Sequence, residues 1–151
     1  MEISGTSWDV VVVGAGTAGS TAAMHLARGR KRVLCLDARP AGASGAQWVN
    51  AIPDWMFVHA GLSAPTARPE LRVRAERHVM SDPDWKHRVV LEGSPMLFVD
   101  MRLLVERVQR LASAAGATLV HDTAVRDVIF ERGRVRGLRT TRGPVTADLF
   151  I

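Results

Sequence analysis

The stretch Asp9-Val10-Val11-Val12-Val13-Gly14-Ala15-Gly16-Thr17-Ala18-Gly19, followed by Asp37 at the end of the next apolar run, decides the reading of this chain. Continuous valine with no polar alternation predicts a strand over 9–13 that is buried on both faces. It feeds straight into a Gly-x-Gly-x-x-Gly turn. From Thr17 to about Gly29, residues Ala18, Ala22, Ala23, Leu26 and Ala27 make one apolar helix face of small side chains, which can lie close on a sheet. Gly29 suits the helix end. Residues 32–37 predict a second strand with Asp37 at its carboxyl end. Strand, glycine turn, helix, strand and acid, in that order, are what a chain needs to hold the pyrophosphate and ribose of a dinucleotide.

Each glycine has its own task. Gly14 permits the sharp exit from the strand, Gly16 lets backbone approach a pyrophosphate with no Cβ in the way, and Gly19 permits close helix packing. The positive end of the helix starting near Thr17 then faces the diphosphate. Asp37 can accept hydrogen bonds from ribose hydroxyls.

Composition is ordinary. Of the 151 residues, 47% are apolar and 23% charged, as expected of one folded domain rather than a disordered or membrane-spanning chain. No apolar run approaches the roughly 18 residues of a spanning helix, and Met1-Glu2-Ile3-Ser4-Gly5 has no signal-peptide character. A cytoplasmic location is the expectation. The lone Cys35, within Val33-Leu34-Cys35-Leu36, reads as a small buried hydrophobe. One cysteine excludes a disulfide framework and a Cys-x-x-Cys redox centre.

The net charge of +5 comes from a basic set that is nearly all arginine. Its densest cluster is Arg68, Arg72, Arg74 and Arg77, interrupted by Glu70 and Glu76 and with no nucleic-acid motif around it. It reads as a solvated face, and no nucleic-acid partner is expected. Two His and two Asp fall between His78 and His87, but Pro83 supplies no evident metal-ligand geometry, so no metal is expected. Ser-His-Asp order, His-Glu-x-x-His and paired carboxylates do not stand out.

The segment 38–95 has no clean period and is rich in Pro, Gly and Ala. It reads as an irregular but folded excursion that contributes a binding surface, because Trp48, Trp55 and Trp85 argue against disorder. These tryptophans read first as anchors of the excursion to a core. Met101, Leu104, Val105, Val108, Leu111 and Ala112 then predict a helix over 100–115, and a short strand follows over 117–121. Runs over 124–130, 134–140 and 144–151, separated by Arg132-Gly133-Arg134 and Arg142-Gly143-Pro144, predict a small antiparallel meander.

The extended pattern Gly19-x-x-x-Ala23-x-x-Leu26-Ala27-x-Gly29, then Val33 and Asp37, with the excursion and the late meander, resembles the N-terminal FAD-binding region of a flavoprotein family. That family includes aromatic hydroxylases, flavin-dependent halogenases and geranylgeranyl reductases. The resemblance covers Trp8 to Ile151 and implies an α/β, Rossmann-like FAD/NAD(P)-binding fold: a parallel sheet with a small antiparallel meander, incomplete at its C-terminus, in a single domain over 1–151. It implies that Gly14, Gly16, Thr17, Ala18 and Gly19 bind pyrophosphate, with Asp37 and the adjoining Ala38 at the ribose. Arg39 would lie along the adenine, and Arg102 would reach the phosphates or ribityl. Ala124 and Val125 would meet adenine through backbone, and Gln47 would approach the ribityl and isoalloxazine side.

The cofactor expected on this resemblance is FAD, with NAD(P)H as reductant of the intact enzyme. Ala147-Asp148-Leu149-Phe150-Ile151 reads as a buried strand cut off as it begins. The family's substrate-domain sheet lies beyond this point, so the expected partner is a missing C-terminal part or a partner subunit. The resulting expectation is the FAD-binding portion of an oxidoreductase of monooxygenase, halogenase or reductase type, without turnover by itself. A non-catalytic dinucleotide-binding or interaction module, and an NAD(P)-dependent dehydrogenase domain, remain as alternatives. Substrate and catalytic residues are not named by the sequence.

Overall fold

The computed structural model describes residues 3, 5 and 7–151. The chain forms two compact units, one from Met1–Ala46 with Leu104–Ile151 and the other from Gln47–Leu103.

In the first unit, β1 (Trp8–Val13), α1 (Thr17–Arg28), β2 (Val33–Leu36) and β8 (Thr118–Val120) follow the expected order, and β12 (Ala147–Phe150) completes the sheet. The four strands are parallel in the order β12-β1-β2-β8. Passing from β1 to β2 to β8 moves steadily one way across the sheet, and right-handed crossovers put α1 and α3 (Met101–Ala114) on one face. The return to β12 runs through β9 (Val125–Glu131), β10 (Arg134–Thr140) and β11 (Gly143–Val145), an antiparallel meander.

Strand alternation explains the unbroken valine run. Val11, Leu34 and Leu36 pack with Leu138 and Val145 of the meander, and their neighbours Val10, Val12, Val33 and Cys35 therefore face the helices. All seven of these β1 and β2 residues are at most 4% exposed. A strand covered on both sides has no polar face to alternate with.

Cys35 is fully buried and free. Burial, with a smaller contribution from the nearby Asp37 charge, pushes its thiol up to about 12. At pH 8 the thiolate fraction is then on the order of one in ten thousand. Native protein is expected to resist a thiol reagent such as dithionitrobenzoate, and one thiol should react at once when urea unfolds the chain. Prompt reaction of the native protein would contradict the buried placement.

The second unit corrects the reading of 38–95 as irregular. Within 38–95 lie β3 (Val49–Pro53), α2 (Asp54–His59), β4 (Leu71–Arg74), β5 (Arg77–Ser81) and β6 (Arg88–Glu92), and just past residue 95 lies β7 (Met96–Asp100). β7 is the middle strand of β3-β7-β4, with Leu97 and Val99 fully buried, and β5-β6 is a separate hairpin. Strands of four or five residues punctuated by proline are too short to display a period, and β6 is exposed along its whole length.

A second correction concerns the tryptophans. Trp48, Trp55 and Trp85 are 65%, 53% and 72% exposed, so they do not anchor this unit to a core. Hydrogen-bond pairing of short strands, with β7 at the centre, organises the unit instead. The arginine cluster is a solvated face, with Arg72 paired to Asp100, Arg74 to Asp54 and Arg77 to Glu92. The Arg72 guanidinium holds the Asp100 carboxyl below its ordinary value, and Asp100 also accepts the Leu103 N–H at 3.4 Å at the start of α3.

The run 144–151, read as one strand, is two, and its end is not buried as expected: Leu149 is 49% and Ile151 54% exposed, because β12 is the edge strand of its sheet. Val145 pairs with Leu138 in the meander, whereas Ala147 pairs with Trp8 in the parallel sheet. The chain changes sheets at Thr146, a position with neither glycine nor proline to mark it. Among the described residues, no helix is long and apolar enough to cross a membrane.

Candidate functional site

The site is the turn between β1 and α1. Gly14 sits at φ +105°, a conformation open to glycine and strained for other residues, and donates its N–H to Leu36 O at 2.7 Å. Gly16 caps α1 in extended backbone, with no side-chain cap and no acidic residue in the first turn. The N–H groups of Gly16, Thr17, Ala18 and Gly19 have no acceptor among the described residues, whereas the next N–H, of Ser20, bonds Gly16 O at 2.9 Å. The four residues that carry these donors, at the positive end of the helix, line a cavity of about 560 Å³ together with Gly14, Val13, Ala22 and Ile151.

The three motif glycines are not equivalent. A Cβ on Gly19 would fall on the carbonyl oxygen of Gly14 and within 3.2 Å of Val12 Cγ1, so backbone of the turn and helix touch there. A Cβ on Gly16 would meet nothing closer than Gly45 Cα at 3.4 Å, an ordinary contact. The protein needs Gly19 for its own packing, and its packing leaves room at Gly16.

Asp37 is 8% exposed and built into the turn. Its Oδ2 accepts the Ala15 N–H at 2.7 Å and its Oδ1 the Arg39 N–H at 2.8 Å. Its backbone bonds Val120 O and the Thr123 N–H, which ties the end of β2 to the end of β8. Each carboxylate oxygen keeps acceptor capacity beyond these bonds. Ala38 and Arg39 follow on the surface. Arg39 Nη1 donates to Gly45 O at 3.0 Å and to Ala43 O at 3.4 Å, which holds that loop near Gly16. Ala124 bonds Thr141 with both its N–H and its C=O, and Val125 opens β9 opposite Thr140.

The structure thus brings together Gly14, Gly16, Thr17, Ala18, Gly19 and Asp37, with Ala38, Arg39, Ala124 and Val125 in the same unit. Gln47 and Arg102 belong to the other unit, and both are exposed. Three residues escaped the sequence reading. Ser20 and Gln109 donate to Ala15 O at 2.9 and 2.7 Å, and Gly45, at φ +74°, passes so close to Val105 that a Cβ would lie 2.9 Å from Cγ2. The available signal for Gln109 was an amide among Val105, Val108 and Ala112 on the apolar stripe of α3. Among the described residues no group of three or more His, Cys, Asp or Glu comes together.

Comparison with known proteins gives a consistent picture. A family model described as FAD dependent oxidoreductase matches residues 9–94. Over 139 residues the chain is 31% identical to digeranylgeranylglycerophospholipid reductase 2 of Methanothermobacter thermautotrophicus, covering 91% of this chain and 35% of that protein. A geranylgeranyl bacteriochlorophyll reductase-like protein of Thermoplasma acidophilum superposes with a TM-score of 0.81 at 22% identity, over 95% of this chain and 38% of that one. A myxobacterial chondrochloren halogenase gives 0.73 at 19%, over 95% and 36%. The chain therefore spans little more than a third of these relatives.

Proposed function

We propose that this chain, which belongs to the FAD dependent oxidoreductase family, grips the ADP half of FAD at its glycine turn and serves as the cofactor-binding portion of a larger enzyme. The observation that carries the reading is the row of four unpartnered N–H groups, Gly16 to Gly19, beside the cavity. Such a row at a helix N-terminus is complementary to a diphosphate. The site's donor set fits the group.

In this reading the Gly16–Gly19 amides hold the diphosphate, with Gly14 and the small side chains of Thr17 and Ala18 leaving it room. Asp37, already oriented by the Ala15 and Arg39 amides, accepts the ribose hydroxyls with its remaining lone pairs. Arg39, bonded to Ala43 and Gly45, borders the adenine while it holds the loop. Ala38, Ala124 and Val125 meet the adenosine by packing, since both backbone groups of Ala124 are committed to Thr141. When bound, flavin supplies the electron transfer, and the protein supplies position and electrostatics.

The intact enzyme is of monooxygenase, halogenase or reductase type, takes its electrons from NAD(P)H, and needs more than this chain for turnover. Span supports the last point: 35% of the matched reductase's length is present. A purely nicotinamide-binding domain is the weaker reading because the matching family is FAD dependent.

The test is reconstitution of the purified chain with FAD. Wild type is expected to retain a yellow cofactor. Gly16→Ala should lose about ten- to a hundredfold in FAD affinity, because its methyl group holds the diphosphate off the amides. Its thermal midpoint without FAD should stay close to wild type, since the protein leaves room for that Cβ. Wild-type protein that bound NAD or NADP and never FAD would sink the assignment.

A further inference from the structure

We infer that Gln109 and Ser20 are positioning residues for the cofactor, acting through the carbonyl of Ala15; this rests on the diphosphate reading above. Ala15 is 1% exposed, and its C=O accepts Gln109 Nε2 at 2.7 Å and Ser20 Oγ at 2.9 Å, which uses both of its lone pairs. Its N–H is bonded to Asp37 Oδ2 at 2.7 Å. The peptide joining Ala15 to Gly16 is planar and trans, so its C=O and N–H point to opposite sides. Holding the C=O toward α1 and α3 aims the Gly16 N–H away from both helices. That N–H is the first of the four unpartnered donors.

The turn cannot hold this orientation by backbone preference. Ala15 stands between Gly14 and Gly16, the residue type with the softest backbone. Without its two side-chain donors the carbonyl would be buried and unsatisfied, and rotation of the peptide plane would relieve it. Gln109 reaches the turn from 94 positions away in sequence, from a helix stripe where an unpaired amide would be costly. Neither Gln109 nor Ser20 need touch the cofactor for this effect.

The experiment measures FAD, ADP and adenosine affinities of the full chain by titration at pH 8 and at pH 5. Gln109→Leu removes the donor and keeps the bulk, and should weaken FAD and ADP by one common factor of about three to ten, with adenosine unchanged. Gln109→Glu is ionised at pH 8 and cannot donate, so it should bind worse than Gln109→Leu there. Beside the Ala15 carbonyl oxygen, which it cannot satisfy while ionised, that carboxyl is pushed above its ordinary value, so on acidification toward pH 5 its protonated form donates again and FAD affinity should recover relative to wild type measured at the same pH. Ser20→Ala should reproduce the loss of FAD and ADP without a loss of adenosine, and it covers the case of a Gln109 variant that fails to fold. Equal loss of adenosine and ADP, or a Gln109→Glu protein whose affinity ignores pH, would reveal a structural role and overturn the inference. So would variants that bind FAD as wild type does, while leaving the diphosphate reading intact. Failure of the unaltered chain to bind either FAD or ADP overturns both.

Discussion

Gly19→Ala is expected to destabilise the first unit by about 3 kcal/mol or more, enough to lower its thermal midpoint by about 10 °C. The sign is what makes this informative. Gly19 lies inside α1, where alanine in place of glycine ordinarily stabilises a helix by about 1 kcal/mol. Here the added methyl would land on the Gly14 carbonyl and crowd Val12 Cγ1 at 3.2 Å. Backbone cannot step aside as a flexible side chain can, so the helix must lift from the sheet. Lifting it also moves the Gly16–Gly19 amides, and FAD retention should fall with stability. A circular-dichroism melt of Gly19→Ala beside Gly16→Ala separates the glycine that packing requires from the one proposed to admit the ligand. A Gly19→Ala midpoint at or above wild type would mean that α1 does not lie on the turn as described.

Asp37→Asn should cost about 2 kcal/mol of stability and about ten- to a hundredfold in FAD affinity. The carboxylate receives two backbone N–H groups, one on each oxygen, at 2.7 and 2.8 Å. An amide offers one oxygen and one NH2, so one of these donors would face another donor in a site only 8% exposed. The charge that strengthens the surviving bond is lost as well, along with one acceptor for the ribose. Denaturant melts and FAD titration of the same preparation read both effects. A variant with wild-type stability would remove Asp37 from the framework of the turn, and one with wild-type FAD affinity would remove it from the ribose.

Much of the first unit was legible because its signals are local. Val10 to Val12 announce burial by lacking alternation, although Val13, read as buried with them, is 48% exposed; Gly14 and Gly29 mark where strand and helix end, and the small residues of α1 state how close it lies. The two runs 124–130 and 134–140 likewise match β9 and β10 within a residue. The same method failed at Thr146, where one apolar run divides between two sheets whose partners, Leu138 and Trp8, lie far apart in sequence. Nor does periodicity show the strands within 38–95, which are four or five residues long and draw their order from pairing, β3 and β4 with β7 and β5 with β6.

The site divides along the same line. The glycine spacing and the acid at the end of β2 pointed by themselves to a turn suited to a dinucleotide diphosphate and ribose, because φ/ψ freedom, the missing Cβ and the helix dipole are properties of adjacent residues. Tertiary structure alone decided that Asp37 braces the turn through the Ala15 and Arg39 amides, and that Ser20 and Gln109 hold the Ala15 carbonyl. Those are contacts between elements brought together by packing. A hydrogen bond spanning 94 residues leaves no periodicity for a sequence to show.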